Sequence, residues 1–447
     1  MGSEMCISDS CWPTDASRII TSSFGEYRPG HIHGGIDIKT WDKEGYKVFA
    51  IGDGSVVLLE TSPYGYGRTI HLVLRNGIKV IYGHLSRFSD SFQHLIQKEQ
   101  ERKRRFAVKL VFKSGVLTVS KGELIGYTGS SGSGAPHLHF EVRDSKNRPF
   151  NPFLLGYYIQ DTVPPTLKAI AVSPLSFGSH VDGDFKPEVF PLQKIEKGRY
   201  LLPKTIRVWG RIGIALSAFD RADGAANKFS VYKTRFFVDG KLVFSSQYDR
   251  FSLNKSREIN LDRDYRLHQW GLGLFQKLYH DAGNELPFYK PTGIEAGVLC
   301  CWDGKETLKQ SPLINLESEE GPVFLEKSIH SIRIEALDYF GNISEATGKL
   351  EMIPLSEIWV SAISHMPSQI KNSTSMEKNP LITVKKQFLD ETIRLFVQST
   401  QPLPAVPHLS VRINSWKRTF VPLIPRSNKE FVGEIPIEEG VDGTMIT

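Results

Sequence analysis

The sequence predicts a mostly β protein with several domains. Short apolar runs that favour β-strands recur along most of the chain, and turns containing glycine or proline separate them. Helical periodicity is scarce outside roughly residues 88–105. The chain has 447 residues, of which 40% are hydrophobic and 23% charged, so it is long enough for more than one hydrophobic core. No apolar run reaches about 18 residues, so we predict no transmembrane segment.

The first predicted domain covers residues 19–160, called the N-terminal region below, and is expected to form an antiparallel sheet. Its clearest hairpin joins residues 69–75 to residues 78–82. The two residues between them are Asn76 and Gly77, a pair that favours the tight two-residue turns of β-hairpins. This pairing predicts two adjacent antiparallel strands in the middle of the region.

A second hairpin is predicted earlier in the same region. The apolar residues 48–51 lead through Gly52-Asp53-Gly54 into the apolar residues 55–59, a pattern typical of a tight turn between paired strands. Residues 88–105 then have helical spacing, so we predict an insertion, over about residues 88–115 in all, that starts with a helix. Strands are expected to resume at residues 106–112.

The rest of the chain is expected to form further β domains. Paired prolines at residues 164–165 remove backbone donors and stiffen the chain, which favours a domain boundary. Residues 166–352, called the second β region below, carry alternating strands at a spacing that predicts an immunoglobulin-like β-sandwich. Residues 375–447 predict a last β-rich module, and its abrupt end at Thr447 suggests that it is incomplete. Residues 1–18 are expected to form a separate N-terminal segment.

Charge gives few indications of a partner. The formal net charge of +6 is mild for this length, and the basic run Arg102–Arg105 is more typical of a solvated helix end than of an anion-binding patch. No nucleic-acid motif accompanies it, so no nucleic-acid partner is expected.

The first residues lack the basic and apolar parts of a signal peptide. Either the protein is cytosolic or the sequence begins after an export segment.

Two pairs of histidines with one intervening residue stand out, His31/His33 and His137/His139. With 13 histidines in the chain, about 0.4 such pairs are expected by chance, so a single pair is weak support for a site. His137 and His139, however, lie in an apolar run that favours a strand. Residues i and i+2 of a strand face the same way, so both imidazoles are expected to project from one face of the sheet.

A set of metal ligands emerges when these patterns are combined. His33 and Asp37 are four residues apart, on the same face of a predicted strand, and the two intervening glycines leave room for other groups to approach. His139 can add a third ligand from a distant strand. Two histidines, one aspartate and an open position are the ligand set of catalytic zinc. His84 and His137 add two polar groups without an evident structural need.

In combination, these motifs resemble those of the lysostaphin-type (LytM-like) zinc endopeptidases, which cut peptide bonds of bacterial peptidoglycan. The resemblance covers about residues 19–155, a third of the chain. It is carried by Ser23-Phe24-Gly25-Glu26-Tyr27-Arg28, His31 to Ile38, Tyr82-Gly83-His84-Leu85, Lys121 to Gly132, Pro136 to Arg143, and Asn151-Pro152.

The resemblance implies a fold and a set of roles. The fold is an antiparallel LytM-type sheet, similar to the duplicated hybrid motif. His33, Asp37 and His139 match the family's zinc ligands and imply one Zn²⁺ per chain. His84 and His137 match its two catalytic histidines, and the sequence leaves open which of them does what. Each group that donates to an oxyanion or transfers a proton is typically worth about 10²–10³ in rate.

The implied function is hydrolysis of peptidoglycan peptides during cell-wall remodelling, in the periplasm or cell envelope. The insertion at 88–115 resembles that of exported envelope members with C-terminal β domains, through which envelope proteins are possible partners. The alternative is a catalytically silent scaffold of the same fold that binds the wall or activates a partner hydrolase. The complete set of five residues favours the enzyme.

Other residues near these motifs have more modest interpretations. His31 is expected at the rim of the site, and His71 is expected to be structural. Glu141 shares a strand face with His139, so it can orient that ring. Arg28 and Arg143 are expected either to face the cleft or to form salt bridges that hold the sheet.

Overall fold

A computed structural model describes residues 10–132, 134–176, 179–184, 186–301 and 321–353, together with six strands between residues 382 and 436. The chain divides into two compact units between residues 357 and 358. The prediction of a mostly β protein with antiparallel sheets is confirmed. In the described part of the chain, no helix has the length and hydropathy that crossing a membrane requires. The predicted segments at residues 1–9, 354–381 and 437–447 lie outside the described residues.

The N-terminal region contains fourteen strands and one long helix. They are β1 (Ile20–Ser22), β2 (Tyr27–Arg28), β3 (His31–Ile32), β4 (Gly35–Lys39), β5 (Lys47–Phe49), β6 (Gly54–Thr61), β7 (Arg68–Leu74), β8 (Lys79–Gly83), β9 (Arg87–Phe88), α1 (Asp90–Lys103), β10 (Val108–Val111), β11 (Thr118–Val119), β12 (Leu124–Tyr127), β13 (His137–Arg143) and β14 (Pro149–Phe150). A 3₁₀ turn follows at Pro152–Leu155.

One large antiparallel sheet organises this region. Its strand order is β1-β4-β13-β8-β7-β6-β10, with β11 paired to β6 and β14 paired to β13. A three-stranded sheet, β5-β12-β9, and the small β2-β3 hairpin complete the region. Buried side chains such as Ile36, Leu72, Tyr82 and Phe140 form its core. Strand β13 lies between β4 and β8, so it brings distant parts of the sequence side by side.

One of the two predicted hairpins is correct and the other is wrong. Strands β7 and β8 pair through the turn at Asn76 and Gly77, where Gly77 has φ +84°. The turn at Gly52-Asp53-Gly54 does not join paired strands. Strand β5 pairs with β12, and the backbone of Ala50 bonds to residues 122 and 123, whereas β6 pairs with β7. The chain therefore passes from one sheet to the other at this glycine turn.

The predicted insertion begins with α1, as its helical spacing indicated. Phe92 and Ile96 are the buried residues of this helix. At its C-terminal end, Arg102 and Lys103 each lie 2.7 Å from the carboxylate of Glu99. Arg104 ends the helix in a left-handed conformation and is exposed. The basic run is thus a solvated helix end, the more modest of its two interpretations.

The described residues of the second β region form the next fourteen strands and two short helices. They are β15 (Thr166–Pro174), β16 (His180–Val181), β17 (Glu188–Pro191), β18 (Gln193–Glu196), β19 (Arg199–Leu201), β20 (Ile206–Phe219), β21 (Lys233–Val238), β22 (Lys241–Gln247), α2 (Ile259–Asp262), α3 (Tyr265–Gln269), β23 (Gln276–Lys277), β24 (Tyr289–Lys290), β25 (Leu299–Cys301), β26 (Val323–Phe324), β27 (Ile329–Leu337) and β28 (Ile343–Met352). A 3₁₀ turn spans Leu253–Glu258.

These strands form a sheet whose main path is β17-β15-β20-β28-β27-β21-β22-β24. Most neighbours are antiparallel, but β28 pairs in parallel with β19 and with β20, and β25 pairs in parallel with β26. The strands predicted here are confirmed, whereas the immunoglobulin-like arrangement stays a prediction. The long β20 joins the β15 side of the sheet to the β28 side.

The N-terminal region and the second β region pack closely within the first compact unit. Phe24 and Ile32 of the former are buried in the hydrophobic core of the latter. Gly25 has φ +84°, and a Cβ atom there would lie 3.0 Å from the ring of Tyr248, so glycine suits this close approach. In the other direction, Phe229 is buried in the core of the N-terminal region. The boundary at residues 161–165 therefore stays a proposal, and the regions on its two sides share a packed interface.

The described residues of the second compact unit form six further strands, consistent with the predicted β-rich module. They are β29 (Ile382–Leu389), β30 (Thr392–Ser399), β31 (Leu409–Ile413), β32 (Lys417–Val421), β33 (Ile424–Pro425) and β34 (Glu430–Pro436). Strands β29-β30-β34-β33 form one sheet, and β31 pairs with β32.

Candidate metal centre

Strand register brings the candidate ligands together. Across the antiparallel pair of β13 and β4, His139 stands opposite Asp37, and on its other side it stands opposite Gly83 of β8. His137 and His139 both line one cleft, as their alternation in β13 predicts. The expectation that His33 shares a strand with Asp37 is wrong, because His33 lies in the link between β3 and β4. The two residues meet nonetheless.

Three donor atoms converge in this cleft. Oδ1 of Asp37 lies 2.9 Å from Nδ1 of His139 and 3.1 Å from Nε2 of His33, and the two nitrogens are 3.2 Å apart. All three residues are buried, with exposed fractions between 5% and 8%. Ligand atoms about 2.0–2.2 Å from a tetrahedral zinc ion stand roughly 3.3–3.6 Å from one another. The donors therefore need shifts of only a few tenths of an ångström to hold such an ion.

Hydrogen bonds on the far side of each ring determine which nitrogen carries a proton. Nδ1 of His33 lies 2.8 Å from the carbonyl oxygen of Ser23, which only accepts, so this nitrogen is the donor. Nε2 of His139 lies 3.2 Å from Oε2 of Glu141 and donates in the same way. The lone pairs of the other two nitrogens then face the carboxylate of Asp37. Three electron-rich atoms at this spacing suit a metal cation.

Glu141 fixes the ring of His139 and is itself held by two other donors. Its carboxylate accepts a hydrogen bond from the hydroxyl of Tyr66 at 2.6 Å and another from Nε of Arg143 at 2.5 Å. Arg143 thus forms a salt bridge beside the site, which is one of its two predicted interpretations. A Cβ atom on Gly34 would lie 3.1 Å from the carboxyl group of Glu141, so glycine permits this arrangement.

The electrostatics of the cluster favour positive charge at its centre. Burial alone would raise the pKa of Asp37, but His33 and His139 hold it well below its usual range. Burial likewise opposes ionisation of Glu141, yet His139 and Arg143 lower its pKa to about 2. Burial lowers the pKa of His139, whereas the hydrogen bonds to Asp37 and Glu141 raise it to about 9. A bound metal ion would replace the extra proton that this field attracts.

His84 and His137 stand together beside the three donors. Their ring centroids are 4.6 Å apart, and the ring of His84 is 5.8 Å from that of His139. Burial, together with the neighbouring His137 and His139, lowers the pKa of His84 to about 4, so this ring is neutral at pH 7. The backbone of His84 has φ +60°, a left-handed conformation that costs a non-glycine residue about 1–3 kcal/mol and is common at functional sites.

The surrounding cleft has a volume of about 610 Å³ and combines residues from both regions of the first unit. His31 is exposed at the rim, where it was predicted. Arg28 lines the cleft and also lies 3.6 Å from Oδ2 of Asp37, so both of its predicted interpretations apply. Leu253 and Ser256, from the second β region, form part of the wall. The backbone NH of Ile32 donates to Oγ of Ser256 at 2.8 Å, which holds this wall in place.

Sequence analysis missed Tyr66, Leu253 and Ser256. Tyr66 lies between Gly65 and Gly67, and a tyrosine bracketed by glycines beside a hairpin was the available signal. Leu253 and Ser256 lie about 100 residues beyond the last motif, Asn151-Pro152, in a segment without a recognisable pattern. His71 lies on β7 and is not one of the residues that line the cleft.

The chain is similar to the DD-carboxypeptidase/endopeptidase Mpg of Neisseria meningitidis serogroup B, with 32% identity over 122 residues. The match covers 27% of this chain and 22% of Mpg, so the chain spans about a fifth of the length of the curated relatives it matches. A solved zinc-containing peptidase from Vibrio cholerae is 28% identical over 33% of this chain and 39% of its own, with a TM-score of 0.24. The catalytic domain of the M23 protein EnpA from Enterococcus faecalis is 27% identical over 28% of this chain and 80% of its own, with a TM-score of 0.20. No family model matches the chain.

Proposed function

We propose that this chain is a LytM-type, zinc-dependent endopeptidase that hydrolyses peptide bonds of peptidoglycan. The observation that carries the proposal is the convergence of His33, Asp37 and His139 on one point, with His84 and His137 beside them in a cleft. The curated relatives are named for carboxypeptidase and endopeptidase activity, which supports the same reaction class.

His33, Asp37 and His139 would hold one zinc ion. Zinc with three protein ligands supplies Lewis-acid activation of water and of a peptide carbonyl group. Glu141 keeps the His139 ring in the orientation that presents Nδ1, and Ser23 does the same for Nε2 of His33. The protein thus fixes all three donors before substrate arrives, which lowers the cost of ordering the site during the reaction.

His84 and His137 would move the proton. Nδ1 of His84 donates to the carbonyl oxygen of Ser131, and Nδ1 of His137 donates to that of Ala135, both at 2.9 Å. These bonds occupy Nδ1 of each ring, so Nε2 is the nitrogen that would meet the substrate; in His137 this nitrogen also lies 3.7 Å from Oδ1 of Asp37. A neutral Nε2 accepts a proton from the attacking water, and the protonated ring then donates to the leaving amine or to the oxyanion.

The cleft and the distal regions suggest where the enzyme works. An open cleft of about 610 Å³ accommodates a peptide segment rather than a single amino acid. We place the protein in the periplasm or cell envelope, where peptidoglycan peptides are its substrate. Envelope proteins that bind the C-terminal β regions are proposed partners.

Digestion of purified peptidoglycan, followed by mass analysis of the products, tests this function. The wild-type chain should release fragments that differ from the starting material by hydrolysis of one peptide bond, and His84→Ala should release almost none. If neither protein yields products while both sediment with the wall, the silent scaffold is the correct alternative. Products that are equal for both proteins would contradict the assignment of His84.

A further inference from the structure

A second group of acidic side chains lies where the N-terminal region meets the second β region. Asp161 precedes the paired prolines, Asp220 directly follows β20, and Asp338 directly follows β27. One carboxylate oxygen from each residue lies within 4.8 Å of the other two. Asp220 and Asp338 are buried, with exposed fractions of 5% and 3%, whereas Asp161 is half-buried. Three carboxylates that are far apart in sequence thus meet at one point of the junction.

Asp220 supplies an independent sign that the cluster is incomplete, because its Oδ1 atom is buried and has no hydrogen-bond partner. By contrast, Oδ1 of Asp161 accepts from the backbone NH of Val163, and both carboxylate oxygens of Asp338 accept from Asn342. Within the described residues, no lysine, arginine or histidine forms an ion pair with Asp161, Asp220 or Asp338. A buried carboxylate without a partner is costly, and the usual remedies are a proton, a basic side chain or a metal ion.

The three carboxylates share a small cavity. It has a volume of about 30 Å³, enough for a single ion or water molecule, and Ser23 and Asn151 also line it. Three carboxylates this close together repel one another when they are ionised, and a bound cation would offset that repulsion.

We propose that Asp161, Asp220 and Asp338 bind one hard divalent cation, calcium in preference, at the junction of the two regions. All donors are oxygens, which suit calcium or magnesium, and the set contains none of the nitrogen or sulfur ligands that zinc prefers. Calcium lies about 2.3–2.6 Å from its oxygens, so two of its ligands stand at most roughly 5 Å apart, as these do. The partial exposure of Asp161 leaves a path for the ion and for coordinating water. Calcium also tolerates irregular geometry better than magnesium.

The ion would link three segments: the linker that contains Asp161, the end of β20 at Asp220, and the loop after β27 that begins at Asp338. Nδ2 of Asn342 donates to the carbonyl oxygen of Asp161 at 3.0 Å, which ties the linker to the loop after β27. In that loop, Tyr339 and Phe340 pack on Phe153 of the N-terminal region, with ring centroids 5.3 and 5.1 Å apart. Binding at this point therefore stabilises the packing of the second β region against the N-terminal region.

Calcium titration of the full chain tests the proposal. Protein treated with EGTA and kept saturated with zinc is titrated with CaCl₂ in a calorimeter, and thermal unfolding is recorded with and without the ion. We expect one calcium per chain and a higher unfolding midpoint. Asp220→Asn and Asp161→Asn should each weaken binding at least about tenfold, because each removes a ligand charge. If Asp220→Asn does not fold, calcium binding by Asp161→Asn tests the proposal, because Asp161 is half-buried and its substitution is expected to leave the chain folded.

Two controls locate the site. Asp42→Asn removes an exposed carboxylate elsewhere and should leave calcium binding unchanged. His139→Ala, which alters the first metal centre, should also bind calcium as the wild-type chain does. The proposal is overturned if the wild-type chain binds no calcium at millimolar concentration, or if Asp220→Asn and Asp161→Asn bind it normally. Tighter binding of magnesium would overturn the preference for calcium, and a more stable Asp220→Asn without calcium binding would show that the cluster holds protons instead.

Discussion

Nε2 of His139 lies 3.2 Å from Oε2 of Glu141, two residues along the same strand. This contact turns the imidazole so that Nδ1 meets Oδ1 of Asp37 at 2.9 Å. A carboxylate that accepts from the distal nitrogen of a histidine ligand fixes its tautomer and raises its basicity. The alternation of side chains along β13 therefore places a ligand and the residue that orients it on one face of the sheet.

Glu141→Gln should weaken zinc binding about 10–100-fold, because a neutral amide holds the His139 ring less firmly. Competition with a chromogenic chelator measures the affinity. Tyr66→Phe removes only one hydrogen bond to Glu141 and should have a smaller effect, so it serves as the matched control. Unchanged zinc affinity in folded Glu141→Gln would show that Glu141 does not orient the ligand.

His139→Ala should lose both the metal and the activity, since two donors cannot replace three at this site. Metal analysis of the purified protein measures the zinc content, and we expect about one zinc per wild-type chain. Circular dichroism checks that the variant is folded. A folded His139→Ala with a full complement of zinc would contradict the ligand assignment.

His84→Ala and His137→Ala should keep the zinc but lower kcat by about 10²–10³-fold each, because each removes a proton-transfer or hydrogen-bonding group from the cleft. His31→Ala, which removes an exposed imidazole from the same rim, should stay within a few-fold of wild type. Peptide hydrolysis and zinc content are measured on the same samples. Full turnover by His84→Ala would refute its catalytic role.

Removal of residues 358–447 should leave the first compact unit folded and active, because the chain divides there. Removal of residues 164–447 should destabilise the N-terminal region, because Phe24 and Ile32 lose the core in which they are buried. Each of these side chains is worth about 1.5–3 kcal/mol of burial. Thermal unfolding of the two truncated chains makes the comparison. Equal stability would show that the interface contributes little.

His71 should make the protein less stable in acid. Burial, with Arg143 nearby, lowers its pKa to about 4 in the folded chain, whereas the unfolded value is about 6.5. Between these values the unfolded chain binds a proton that the folded chain does not, so the free energy of unfolding falls as the pH falls. Urea unfolding at pH 7.5 and at pH 4.5 measures how much the free energy of unfolding decreases in acid. This decrease should be smaller in His71→Gln than in the wild-type chain by roughly 1–3 kcal/mol. His94→Gln, on the exposed face of α1, is the control, and an equal loss in all three proteins would contradict the role of His71.

Local patterns predicted the parts of the structure that depend on neighbouring residues. The two-residue period of a strand placed His137 and His139 on one face, and Asn76-Gly77 marked a true hairpin. The hairpin predicted through the similar turn at residues 52–54 is wrong, because a glycine turn does not specify which strands the segments on its two sides pair with.

Local sequence patterns did not predict contacts between segments that are distant in the sequence. Ser256 reaches the wall of the cleft only because the second β region packs on the N-terminal region. Asp161, Asp220 and Asp338 meet for the same reason, and nothing in their local sequence marks them as a group. These arrangements follow from tertiary packing, which a single sequence does not reveal.

Restoration of activity by zinc tests the proposed function most directly. Metal-free wild-type protein is incubated with purified peptidoglycan, and peptide release is followed as zinc is added in small steps. We expect almost no hydrolysis without metal and a rise that ends at about one zinc per chain, as a single three-ligand site implies. Full hydrolysis by the metal-free protein, or no hydrolysis at any zinc concentration, would contradict the assignment of a zinc endopeptidase.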